Sequence, residues 1–382
     1  MTFRGRFPSL YGYMNDLSDF SNLIVALNAH PRLSRPAVYR LAEDLDRWLG
    51  VPEPPDRLAA KIGVPRKQLE KALALAARPD QVASAAARER EEAARLGARL
   101  ILFGDPGYPA VLRHLRLPPP VLSVRGELPS GPAVAIVGSR KADPYGKEVA
   151  ELFARSLAAA GVTVVSGFAR GVDAAAHRGA LSAPEGRTVA VLGCGLGVDY
   201  PSGHADLGKE IAERGAVVSE LPFGAEPRAW HFPVRNRVIA ALSAGTLVVQ
   251  AAPRSGSLVT ARHALDLGKQ VWAVPGRIFD ERSLGPNALI RDGAGLVQHP
   301  REILEEILGV GAVIPPVETE PEPDLPEGLA GVVLAALPKG SGRAPEELAA
   351  AADLPVDQVL GALLELELSG LVKRMAGGVY GR

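Results

Sequence analysis

Apolar residues recur along this chain with two different periods, and the change of period marks its organisation. In LSDFSNLIVALNAHP and LSRPAVYRLAEDLDRWLG they fall three or four apart, the spacing of an amphipathic helix. Pro52, Pro54 and Pro55 interrupt that pattern. DRLAAKIGVPRKQLEKALALA resumes it as two short helices hinged at Gly63-Val64-Pro65, a helix-hairpin arrangement, and Ala-rich helix from Arg88 to Leu96 leads out. Residues 1–95 therefore read as an all-α domain. Past Gly97 the apolar runs become short and β-rich. ARLILFG and VLSVRG read as strands flanking YPAVLRHLRLPPP. From Ala133 onward AVAIVGS, VTVVSG, TVAVLGCG, AVVSELP, TLVVQAA and QVWAVPG alternate with amphipathic stretches such as YGKEVAELFARSLAAAG and SLVTARHALDLG. Apolar strands alternating with helices predict an α/β domain over residues 97–309, its parallel sheet covered on both faces.

The pattern breaks again in VIPPVETEPEPDLPEG, whose Pro and Glu predict an extended linker over residues 310–326. GLAGVVLAALP, APEELAAAADLP and VDQVLGALLELELSG then read as three short helices. LVKRMAGGVYGR reads as a hairpin turning at Gly377-Gly378. Three helices and a terminal hairpin are the layout of a winged helix, here over residues 327–382. Its third helix carries Asp357, Glu365 and Glu367 and no Lys or Arg, so it would repel phosphate; only the wing, with Lys373, Arg374 and Arg382, is basic. That distribution favours a protein partner over DNA for this domain.

Composition narrows the function classes. The 382 residues are 47% hydrophobic and 23% charged, with Lys+Arg and Asp+Glu equal at 43 each. A nucleic-acid reading must therefore rest on local basic loops, not on net charge. The lone Cys194 excludes an internal disulfide framework and a multi-cysteine zinc site, and suits a reducing cytoplasm. With no apolar signal core at the N-terminus and no stretch of 18 or more apolar residues, a cytoplasmic protein is expected, without membrane contact.

In an open parallel sheet the loops after the strand C-termini share one rim, and ligands bind there. Here those loops are Gly138-Ser139-Arg140-Lys141; Ser166-Gly167-Phe168-Ala169-Arg170; Gly193-Cys194-Gly195 with Tyr200-Pro201; Pro222-Phe223-Gly224 leading to Arg228 through Arg237; and Arg254-Ser255-Gly256-Ser257. Glycine lets backbone N–H groups approach an anion, and arginine adds a planar fork for phosphate oxygens. One such loop is an ordinary strand–helix turn; several on one rim are harder to dismiss. Trp230, His231 and Phe232 lie among basic residues, as suits the bases and backbone of a single strand, although Trp230 and Phe232 equally suit core closure.

Enzymatic readings are weaker. Neither G-x-G-x-x-G nor G-x-x-x-x-G-K-[ST] follows the first Rossmann strand, and no cofactor is expected. The seven histidines include no pair at zinc-ligand spacing with a third partner. Asp173 and His177, four apart, form either an acid–base pair or a helix staple, with the staple favoured. Glu220 is either a general base or a partner that orders Arg140 or Arg235. With no activated nucleophile nearby, ordering is preferred.

The motifs IVGSRKADPYG, SGFARGVDAAAHRGAL, GCGLGVDYP, SELPFG, FPVRNRVIAALS, SGSLVTARHALDLG and VWAVPG…SLGPNALIRDGA occur in this order over about residues 98–300. Together they closely resemble the DNA-processing protein A family, also called Smf. The resemblance implies an extended Rossmann-like sheet, with an N-terminal sterile-alpha-motif-type helical domain and a C-terminal winged helix. It implies single-stranded DNA binding without catalysis, loading of the RecA recombinase onto DNA taken up in natural transformation, and help in displacing single-strand-binding protein. By position, Ser139 and Arg140 would meet a phosphate. Arg228 aligns with the family's basic residue upstream of Phe-Pro-x-Arg-Asn, Arg235 and Asn236 fall on that motif, and Ser255 and Gly256 match the Ser-Gly-Ser turn. The rim reading adds Gly138, Ser166, Gly167, Arg170 and Ser257 to the expected DNA contacts. His204 stands where the family usually has Asn. Family members also pair through the end of the Rossmann domain, here NALIRDGAGLVQ. A homodimer is thus expected through Leu289, Ile290 and Leu296, although read alone these residues also suit the domain core. Two other functions remain open: a Rossmann-like nucleotide-processing enzyme, whose Pro-Gly-Gly-x-Gly-Thr motif is absent, and a scaffold acting through its end domains.

Overall fold

The computed structural model describes residues 17–49, 51, 53–309, 326, 328–338, 342–375 and 377–381. Two compact units emerge, Met1–Pro315 and Pro316–Arg382. The expected linker lies outside the described residues apart from Pro326, as does Arg382 of the wing.

The described residues of the first unit begin with six helices: α1 (Leu17–Ala29), α2 (Arg35–Glu43), α3 (Leu45–Trp48), α4 (Pro55–Ile62), α5 (Arg66–Ala76) and α6 (Pro79–Arg95). The hinge between α4 and α5 is Gly63, whose φ of 68° is left-handed backbone that glycine adopts without strain. Leu23, Leu27, Leu41, Trp48 and Leu69 form one cluster with Leu102 and Val121 of the sheet. The helical block is thus packed onto the α/β block within one unit. At roughly 1.5–3 kcal/mol for each large side chain removed from water, that shared cluster is a substantial part of what holds both.

The sheet has nine strands: β1 (Ala98–Leu102), β2 (Val121–Gly126), β3 (Ala133–Val137), β4 (Thr163–Ser166), β5 (Thr188–Val191), β6 (Ala216–Ser219), β7 (Gly245–Val248), β8 (Gln270–Ala273) and β9 (Gly295–Leu296). Their order is β1-β2-β6-β5-β4-β3-β7-β8-β9. β1 and β2 pair antiparallel with each other, as β2 does with β6, and the other pairs are parallel. Successive β3 residues face opposite sides, as the strand pleat requires. Val134 and Ile136 pack with Phe153 and Leu157 of α7 (Pro144–Ala159), alongside α8 (Val172–Ser182). Ala135 and Val137 pack with Val238 and Ile239 of α10 (His231–Leu242), alongside α11 (Ser257–Asp266). Both faces are covered, which is why these strands read as continuous apolar runs. The remaining helices are α9 (Ala205–Arg214), α12 (Glu281–Arg291) and α13 (Pro300–Leu308).

The second unit holds α14 (Leu329–Ala336), α15 (Pro345–Ala352) and α16 (Val356–Leu368), then β10 (Lys373–Arg374) paired antiparallel with β11 (Tyr380–Gly381). Gly377 and Gly378, both at positive φ, make the expected turn. One face of α16 buries Val359, Leu363 and Leu366. Another exposes Val356, Leu360, Leu364 and Leu368, four residues apart along the helix.

Candidate nucleic-acid interface

Strands β3 to β6 progress one way across the sheet and β7 to β9 the other, so the chain reverses between β3 and β7. The loops leaving those two strands diverge, and a crevice opens at their C-terminal ends. It is a cleft of about 740 Å³ lined by Gly138, Ser139, Arg140, Lys141, Phe232 and Arg254, with the Ser255-Gly256-Ser257 turn.

Close backbone approaches build its floor. The Ser139 N–H donates to Gln250 O at 2.6 Å, and a Cβ at Gly138 would stand 2.9 Å from that oxygen and 2.6 Å from Val172. The Gln250 amide locks onto Asp143, the side-chain cap of α7, at 2.9 Å. Gly171, at φ 81°, lies so near the first loop that a Cβ there would meet Ser139 O at 2.2 Å. Ser255 Oγ and Ser257 Oγ are 2.7 Å apart at the start of α11.

The cations divide into two classes. Arg140, Lys141 and Arg254 are exposed and have no ion-pair partner among the described residues. The Arg140 guanidinium lies 4.6 Å over the Phe232 ring, which also packs 5.4 Å from Tyr200. Trp230, half exposed, packs edge-on against the His231 ring at 4.0 Å. Arg235 is different: it is 4% exposed, and its guanidinium donates to Gly167 O at 2.6 Å, to Val191 O, and to Asn236 Oδ1 at 3.2 Å. Asn236 in turn donates to Gly256 O at 2.9 Å. Asp173 lies close to Arg235: burial pushes its carboxyl upward, against the pull of that guanidinium. Burial also lowers the Arg235 guanidinium to about 10, still protonated at neutral pH. Arg235 and Asn236 therefore form a buried strut tying together the loops after β4, β5 and β7.

The expected contacts sort accordingly. Gly138, Ser139, Arg140, Ser255, Gly256 and Ser257 come together in the cleft. Arg228 is exposed beside it, next to lining residues Pro227 and Ala229. Five expected contacts need correction. Ser166 is fully buried, its hydroxyl donating to Ile136 O at 2.6 Å, so it joins strands and meets no ligand. Gly167 is buried because Asp173 and Arg235 would both lie within 3.0 Å of a Cβ there. Arg235 and Asn236 line the cleft but spend their donors on backbone carbonyls. Arg170 points elsewhere, its guanidinium 3.4 Å from Ser202. Lys141, Arg254, Phe232 and Tyr200 take part in the lining although absent from the expected contacts; three lie in rim loops and Phe232 in the first turn of α10, all in stretches read as rim from the sequence, which was the available signal. Glu220 orders neither Arg140 nor Arg235. It binds Arg237 and the hydroxyl of Tyr39, which donates at 2.6 Å, so the buried pair joins α10 to the N-terminal helices.

At the sheet edge, Leu289 packs against the core cluster, Ile290 is half-buried and Leu296 on β9 is 49% exposed.

Comparison with known proteins gives this arrangement a family. The family model described as DNA recombination-mediator protein A matches residues 99–308, and a DprA winged helix domain matches residues 316–378. This chain belongs to the DNA recombination-mediator protein A family. Protein Smf of Escherichia coli is 43% identical over 284 residues, covering 71% of this chain and 74% of its own. DNA processing protein DprA of Bacillus subtilis is 38% identical over 55% of this chain and 72% of its own. Among solved structures, DprA from Streptococcus pneumoniae matches with a TM-score of 0.59 at 29% identity, over 76% of this chain and 99% of its own. The Helicobacter pylori protein, whose structure is described as revealing a single-stranded DNA binding mode, matches with a TM-score of 0.50 at 31% identity, over 55% and 95%. The family's α/β domain and winged helix thus correspond to the two units of the fold.

Proposed function

We propose that this member of the family binds single-stranded DNA in the switch-point cleft and acts as a recombination mediator without catalysing a reaction. The observation that carries this reading is the grouping of Arg140, Lys141 and Arg254, none with an ion-pair partner among the described residues, around a glycine-built floor, with Arg140 over the half-buried Phe232 ring and half-exposed Trp230 two positions before it. Cations beside aromatic rings suit a backbone that carries phosphates and unstacked bases together. The single-stranded DNA binding ascribed to the Helicobacter pylori relative supports the same substrate. Candidate catalytic groups are committed elsewhere. His177 is held neutral by burial, at about 3, against Thr188 Oγ1 at 2.7 Å, and the buried Cys194 thiol is pushed up to about 11.

On this reading the protein delivers the strand to RecA and helps exclude single-strand-binding protein, in the cytoplasm; no described helix is long and apolar enough to cross a membrane. The exposed Leu296 edge is the proposed homodimer contact, since an unpaired strand edge is usually covered. Acidic residues and the leucine stripe on α16 favour a protein partner for the winged helix. Filter binding of oligo-dT and of a duplex of equal length, each at two salt concentrations, tests the core of the proposal. Preference for the single strand, weakening with salt, is expected; equal affinity for both at moderate salt would sink it.

A further inference from the structure

The loop that follows β8 lies on the same rim and carries a feature the cleft does not explain. Arg277 O accepts from Asp280 N at 3.1 Å, closing a β-turn whose two central residues are Ile278 and Phe279. Such positions ordinarily hold Gly, Asn, Asp or Pro. Here they hold two large apolar side chains, 71% and 97% exposed. Phe279 is the most exposed large hydrophobic among the described residues.

The turn is also held firmly. Asn287 of α12 clamps Gly276 from both sides, accepting from its N–H at 3.1 Å and donating to its carbonyl at 3.0 Å. A Cβ at Gly276 would stand 2.2 Å from Ser283 Oγ, so the backbone is pressed against α12. Just beyond the turn, Asp280 caps α12 and Arg282 reaches Asp143 at 3.0 Å, at the end of the loop that bears Arg140 and Lys141. Ala251 N donates to Arg282 O at 2.6 Å, and Gly285 N to Ala251 O at 2.9 Å, fixing the same segment to the loop after β7 that bears Arg254. The base of the turn is therefore stapled to both walls of the cleft, and its tip presents a free aromatic ring with exposed Arg277 beside it.

We infer that Phe279 is a base-stacking platform that extends the single-stranded DNA track beyond the cleft, with Arg277 meeting the adjoining phosphate. This rests on the cleft reading above. Three features favour nucleic acid over a second copy of the chain: the exposed Arg277 beside the ring, the continuity with the cleft, and an aromatic ring at a rigid turn tip. A stacked ring needs little sequence preference, because every base has a π-face.

The test is fluorescence anisotropy of the full chain with labelled oligo-dT of about 15 nucleotides, near the upper range of single-strand site sizes. Phe279→Ala should bind about tenfold more weakly, within the range for losing one stacked base. Phe279→Tyr should restore affinity and Phe279→Leu should not. An abasic oligomer of the same length, which keeps its phosphates, should be insensitive to Phe279→Ala. Wild-type affinity in Phe279→Ala beside a weakened Arg140→Ala overturns the platform alone; wild-type affinity in both overturns the cleft reading with it. Full rescue by Phe279→Leu, or a fall to half the mass in light scattering of Phe279→Ala, would assign the turn to a protein contact instead.

Discussion

Replacing Arg235 with Ala separates a strut from a ligand. The wild-type guanidinium is buried, serves Gly167 O, Val191 O and Asn236, and pulls on the buried carboxyl of Asp173. Removing it strands two buried carbonyls and takes a favourable charge away from Asp173. A stranded buried acceptor costs about 1–3 kcal/mol, so the two together put the loss at about 3–5 kcal/mol. Proton uptake by Asp173, already favoured by burial, keeps the loss from growing further. At about 2 °C per kcal/mol for a domain of this size, the melting temperature should fall by about 6–10 °C. Circular dichroism melting of the DNA-free protein reads this directly, and oligo-dT binding of the folded fraction should weaken because three rim loops lose their common tie. Arg140→Ala should do the reverse: unchanged melting, with binding weaker by about 1–3 kcal/mol. An Arg235→Ala protein that melts like the wild type yet loses DNA affinity would refute the strut and return Arg235 to the phosphate.

Three further outcomes follow from the same structure. Leu296→Arg should halve the mass seen by light scattering while leaving the melt unchanged; a folded dimer would remove this edge from the interface. A chain ending at Gly309 should keep single-strand affinity within about tenfold, or 1.4 kcal/mol, and a larger loss would make the winged helix part of the DNA site. His177 resists protonation down to about 3 when folded but protonates near 6.5 when unfolded, so the unfolded state binds more protons between those values. Its contribution is present above about pH 6.5 and is lost as pH falls, by about 1.4 kcal/mol per unit. His177→Gln should flatten the acid limb of the stability curve, and an unchanged limb would contradict the assignment.

Much of this architecture was legible in the residue pattern, for physical reasons. A strand such as Ala133–Val137 is buried on both faces, so it appears as an uninterrupted apolar run. The rim loops were equally visible, because chain direction alone puts every loop after a parallel strand on one edge. What each polar side chain does there was not legible. Arg235 and Arg237 stand two apart on α10, and a helix buried on one side would expose one of them. This helix packs on the sheet and also meets the N-terminal block, so Arg235 is buried on backbone carbonyls and Arg237 is half-buried against Glu220. The Glu220–Tyr39 contact spans 181 positions and has no local signature. The same long-range packing, through Leu102 and Val121, joins the N-terminal helices to the sheet although the change of period near Gly97 suggested a separate domain.

The most direct test of the central claim is the salt dependence of oligo-dT binding by the wild type and by Arg140→Ala. Each phosphate neutralised on a single strand contributes about 0.7 to the slope of log K against log salt. If the Arg140 guanidinium, with no ion-pair partner among the described residues and poised over Phe232, meets a phosphate, the variant's slope should be shallower by about that amount. Parallel lines of equal height would mean that the strand does not run through this cleft.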